Sequence, residues 1–76
     1  MKKFIVRITE ESKKNGWNVL SDKEFKLFRD AKKFALEQEQ KLQSDWRLIA
    51  RYEKAFNFKC TFAKDEKIRT LSIIKK

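Results

Sequence analysis

The chain has 76 residues, is 41% apolar and 41% charged, and carries a formal net charge of +9. That length bounds it to one domain, residues 1–76, with a small core that buries only about 60% of the extended surface. Seven Phe, two Trp and one Tyr keep it out of the disordered class; no histidine and a single cysteine, Cys60, exclude a structural zinc site within the chain, an intrachain disulfide and the commonest general base at neutral pH.

In chain order, residues 2–9 alternate. Phe4, Val6 and Ile8 point one way, and Lys3, Ile5, Arg7 and Thr9 the other, the mark of a strand with one apolar face. Arg7 interrupts the apolar run behind the basic start, so no signal peptide is expected, and no stretch approaches transmembrane length. Residues 10–16 are polar and end in Asn15-Gly16, a turn signal that uses the only glycine. A short second strand, residues 17–20, is expected to close a hairpin on the first.

Residues 20–42 hold the helical pattern. Ser21-Asp22-Lys23-Glu24 fits a capping box, with Leu20 and Phe25 at the positions of a hydrophobic staple, which predicts a helix start at Ser21. Leu27, Phe28, Ala31, Phe34, Ala35 and Leu42 fall on one stripe with Gln38, and the two alanines let the helix approach a sheet closely. Leu36 lies off the stripe and is expected to widen the buried face, with a partner contact as the alternative reading. The segment has six basic and five acidic residues and is nearly neutral.

Three strands are expected after the helix. Residues 46–53 alternate Trp46, Leu48, Ala50 and Tyr52 against Arg47, Ile49, Arg51 and Glu53. After a tight link at Lys54-Ala55, Phe56, Phe58, Cys60 and Phe62 share one face, with Cys60 as a small core residue. Residues 67–74 form the last strand, ambiguous in facing, before a basic tail of Lys75 and Lys76. The expected fold class is α+β: two layers in the order β-β-α-β-β-β, the single helix packed on one face of a mostly antiparallel sheet.

This layout carries a functional expectation. Residues after 43 include nine basic and four acidic side chains, and four of the five arginines lie on strands. If the apolar faces meet the helix, Arg7, Arg47, Arg51 and Lys59 project from the opposite face, joined by Lys3 and Arg69. Such a face suits backbone contacts to DNA or RNA phosphates. Its aromatic residues are expected on the core side, and Trp17 and Tyr52, near strand ends, are the only plausible stacking residues, so backbone contacts are favoured over base reading. Catalysis is not expected, and no cofactor or metal. The set Arg47, Arg51, Tyr52 and Lys59 is similar to that of small basic ribonuclease toxins, but alternation turns Tyr52 away from the arginines. The first reading is a cytoplasmic, non-enzymatic nucleic-acid-binding protein, monomeric or homodimeric, with no membrane role. The alternative is a phage- or mobile-element-type protein that binds an acidic surface and inhibits or adapts a larger nucleic-acid-handling or defence complex.

Trp17 after a turn, ahead of Phe28-x-x-Ala31-x-x-x-Ala35, resembles the arm-binding domains of phage integrases over residues 17–35. Those domains place the helix after three strands rather than two, and the resemblance assigns no residue roles.

Overall fold

A computed structural model describes residues 3–76. The elements run β1 (Phe4–Ser12), β2 (Gly16–Phe25), α1 (Phe28–Gln43), β3 (Arg47–Lys54), β4 (Asn57–Lys64) and β5 (Lys67–Lys75). The expected order and two-layer arrangement are present. The expectations resting on Met1 and Lys2 lie outside the described residues.

One fully antiparallel sheet has the strand order β2-β1-β5-β4-β3. The β1–β2 hairpin and the β3–β4–β5 meander are joined through β1 and β5, which pair from Phe4↔Lys75 to Ser12↔Lys67. The helix therefore links the two opposite edge strands. Five strands span about 19 Å, and a helix of 16 residues is about 24 Å long, enough to carry the chain across.

Its buried stripe is Ala31, Ala35, Glu39 and Leu42. Both alanines are fully buried, and the small side chains let the helix axis sit close to the sheet. Opposite them lie Phe4, Val6, Phe58, Cys60, Phe62, Leu71 and Ile73, with Trp46 at the end where the helix finishes. Ile8, Phe25, Phe28, Phe34 and Leu48 pack against this cluster. The expected strand core is thus present, and β5 resolves its facing with Leu71 and Ile73 inward. Truncating Phe62 to Ala would cost about 3–5 kcal/mol, as for any fully buried aromatic.

Two boundaries differ from expectation. The second strand does not stop at Leu20 but runs to Phe25, so the capping box at Ser21 lies inside a strand. Phe25 pairs with Phe4, Lys23 with Val6 and Asp22 with Arg7. A cap contributes about 1 kcal/mol; against it stand the extra ladder bonds and Phe25, whose ring meets Phe34 at 5.5 Å. The helix begins at Phe28 instead, behind an extended Leu27 that offers no side-chain cap. Leu36 is exposed rather than buried, sharing the outer helix face with Arg29, Lys33 and Gln40. The Asn15-Gly16 turn is as expected: Gly16 adopts a φ of 72°, and the Asn15 N–H donates to Ser12 Oγ at 3.0 Å.

Candidate functional site

Both edge strands contain a bulge, and these bulges decide which side chains share a face. On β2 the register skips Leu20, between Ile8↔Ser21 and Thr9↔Val19. On β3 it skips Ile49: Leu48 pairs with Phe62, but Ala50 pairs with Thr61 and Arg51 with Cys60. One extra residue inverts the facing of everything after it.

Arg51 and Glu53 therefore turn toward the helix, and Ala50, Tyr52 and Lys54 toward the open side. This corrects the expected placement of two residues at once. Arg51 leaves the basic face, and Tyr52 joins it. Arg69 is also on the helix side, because it pairs with Phe62 on one flank and Glu10 on the other.

The open face can be read in rows across the sheet. One runs Asp22, Arg7, Ser72, Lys59, Tyr52. The next runs Val19, Thr9, Thr70, Thr61, Ala50. A third runs Trp17, Glu11, Ile68, Ala63, Arg47. The central strand β5 contributes Ser72, Thr70 and Ile68, all uncharged, and the charges lie toward the flanks.

The two flanks are not alike. On β1–β2, Arg7 holds Asp22 in a fork, Nε to Oδ1 at 2.8 Å and Nη2 to Oδ2 at 3.0 Å. That hydrogen bond raises the guanidinium pKa and lowers that of the carboxyl, so the pair is neutral over the working pH range. Trp17, 60% exposed, has Glu11 as its neighbour. On β3–β4, Arg47, Lys54 and Lys59 form no ion pair, and no carboxylate faces the open side, among the described residues. Tyr52, 53% exposed, stands directly across from Lys59. Beside them is an open depression of about 450 Å³ lined by Tyr52, Asn57, Phe58, Lys59, Ser72 and Ile73.

Of the six expected contact residues, Arg47 and Lys59 are together on the open face without an ion-pair partner among the described residues. Arg7 is there but matched by Asp22. Lys3 is exposed beyond the start of β1. Arg69 Nε donates to Glu10 Oε1 at 2.9 Å, and its guanidinium lies 4.4 Å from the Trp46 ring centroid.

Arg51 has a separate role. Its Nε donates to Glu39 Oε2 at 2.8 Å, and its Nη1 lies 3.0 Å from Glu53 Oε1. Lys32 completes the network by pairing with Glu53. Glu39 is only 7% exposed, and Cys60 Sγ donates to its Oε2 at 3.5 Å. Hydrogen bonding to Glu39 is the main cause that raises the Arg51 pKa, and Lys32, with Arg51, lowers that of Glu53. Burial, reinforced by the Glu39 charge, pushes the Cys60 thiol up to about 12, which leaves it a neutral packing residue.

The sequence reading named Tyr52 as a plausible stacking residue but turned it to the core side, and it missed Lys54 and Glu39 as organising residues. Glu39 had a legible signal: it follows Ala31 and Ala35 at spacing four, on the buried stripe. The bulge that exposes Tyr52 had none, because Trp46 to Glu53 alternates without a break. Comparison with protein-family models, curated proteins and solved structures finds no match. Among the described residues, no three His, Cys, Asp or Glu side chains cluster as a metal site, and no helix is long and apolar enough to cross a membrane.

Proposed function

We propose that the chain is a non-enzymatic nucleic-acid-binding protein that contacts its ligand through the β3–β4 half of the open face. The observation that carries this reading is the Ile49 bulge, which sets Tyr52 beside Lys59 on a surface holding Arg47 and Lys54 and no carboxylate among the described residues. Arg47, Lys54 and Lys59 supply phosphate contacts, and the small residues Ala50 and Thr61 between them leave the backbone room to lie flat. Tyr52 adds a stacking surface, the usual complement to cations in binding without sequence preference. Arg7, Arg51 and Arg69 serve the fold, since each is engaged by a carboxylate of the same chain.

A second reading, a small module that binds an acidic protein, is favoured by one feature: Leu36 exposed between Arg29, Lys33 and Gln40 on the outer helix face. A salt-tolerant complex lost on Leu36→Asp would support it.

Fluorescence anisotropy with single- and double-stranded DNA and RNA, at low and physiological salt, tests the first reading. Three phosphate contacts on a single strand correspond to a log–log salt slope of about −2. An Arg47→Glu/Lys59→Glu variant is expected to abolish binding. Binding that this variant leaves intact, or no binding at low salt, would overturn the assignment.

A further inference from the structure

The sheet has two hairpin turns of the same build with different chemistry. Lys64↔Lys67 closes Asp65-Glu66, and Lys54↔Asn57 closes Ala55-Phe56. In each, the first turn residue is left-handed, Asp65 at φ 55° and Ala55 at φ 52°. Aspartate tolerates that conformation through local hydrogen bonds of its short side chain; alanine has no such compensation. The second residue, Phe56, is 60% exposed where turn chemistry favours a small or polar residue. Turn preference does not account for Ala55-Phe56, and packing covers only part of the Phe56 ring.

The Phe56 ring is nonetheless held. It meets Phe28 edge-on at 5.1 Å, and Phe28 meets Phe4 edge-on at 5.5 Å, so one side is anchored while the rest is presented outward. Lysines gather at this end of the sheet. Lys54 enters the turn, Lys75 pairs with Phe4, and the Lys3 N–H donates to the Phe25 carbonyl beside Lys26. None of these four lysines forms an ion pair among the described residues.

This end adjoins the open face. Tyr52 and Lys54 lie two residues apart on the open side of β3, and Phe56 follows two residues later with its ring against Phe28 on the helix side of the turn, so the two aromatic rings are reached from either side of the sheet end. The span from Tyr52 to Phe56 is at most about 14 Å of chain. Resting on the nucleic-acid reading above, we infer that the ligand is a single strand, that it runs down β3 and over the β3–β4 turn, and that Phe56 is its second stacking platform. A single strand can bend over that end and splay bases onto two separate rings. A duplex keeps its bases stacked inside and, with a persistence length of about 50 nm, does not follow the bend.

The test uses the full chain and labelled oligonucleotides of about 4, 8 and 16 nucleotides, single-stranded and as duplexes. Phe56→Leu keeps an apolar contact with Phe28 and removes the aromatic face, and Phe56→Trp restores it; thermal melting confirms that each variant folds. The expected result is a preference for single strands, a loss of about tenfold in Phe56→Leu, duplex binding unchanged, and recovery in Phe56→Trp. If Phe56→Leu binds single strands like the parent while Arg47→Glu/Lys59→Glu does not bind, Phe56 is no platform and the nucleic-acid reading stands alone. A parent that prefers duplex overturns the single-strand inference. A parent that binds neither form at low salt overturns both.

Discussion

The β2 and β3 edges are alike in outline: each flanks the helix in sequence, each is largely exposed, and each carries one bulge. They differ in what happens to arginine and the aromatic residue. Beside β2, Arg7 meets Asp22 on the open face and Trp17 sits next to Glu11. On β3, Arg51 is turned inward to Glu39 and Tyr52 is turned outward to Lys59. On the open face, the net charge of +9 thus becomes an unopposed cationic surface on one of the two flanks, among the described residues. Charge composition sets how much positive potential the molecule has, and strand register decides where it is unopposed.

The contrast can be broken most severely by inserting one alanine between Ala50 and Arg51, since deleting the unpaired Ile49 would leave the facing as it is. With the alternation shifted by one, Arg51 and Glu53 turn to the open side, Tyr52 is driven toward the helix and Glu39 is stranded. The expected loss is more than about 3 kcal/mol in urea denaturation, since a buried carboxylate loses its partner and the core gains a hydroxyl. A milder break is Arg51→Met, which keeps the apolar stem over Phe58 but leaves Glu39 unpaired. The expected loss is about 2 kcal/mol, below that of a fully buried pair because the Arg51 side chain is about a third exposed. Nucleic-acid affinity is expected to change little in that variant, which separates the inward arginine from the outward cations.

Titration sharpens the same boundary. Burial pushes the Cys60 thiol pKa in the folded protein up to about 12, well above that of an exposed thiol. The folded state therefore favours the protonated thiol, a contribution fully present below pH 9 and lost as pH rises toward 12. Urea midpoints are expected to fall across that window, and less so in Cys60→Ala. Acid works in the opposite direction: Asp22 and Glu53 are depressed, so what they contribute is present above the ordinary carboxylate range and lost as pH falls through their lowered values. The smallest effect belongs to Asp22→Asn. It frees Arg7 on the open face, and the salt slope of nucleic-acid binding is expected to steepen by a little under one unit, with the melting temperature nearly unchanged. A slope that does not move would show that the ligand never reaches the β1–β2 flank.

Local sequence was sufficient for the parts of this protein that depend on period and composition. The alternation of Phe4, Val6 and Ile8 and of Phe58, Cys60 and Phe62, together with the Ala31–Ala35 spacing, determined a helix lying on one face of a sheet, because burying those side chains together is the dominant stabilising contribution. Asn15-Gly16 determined the first turn, because only glycine takes its φ without cost. The tertiary structure decided the rest. Pairing with β1 overrode the capping box at Ser21, since ladder bonds and the burial of Phe25 outweigh one cap. Pairing with β4 placed the bulge at Ile49, so that Arg51 could reach Glu39 across from the helix. That contact lies twelve residues away in the chain and on another element, so no local pattern encodes it, and with it went the choice of which face would carry Tyr52.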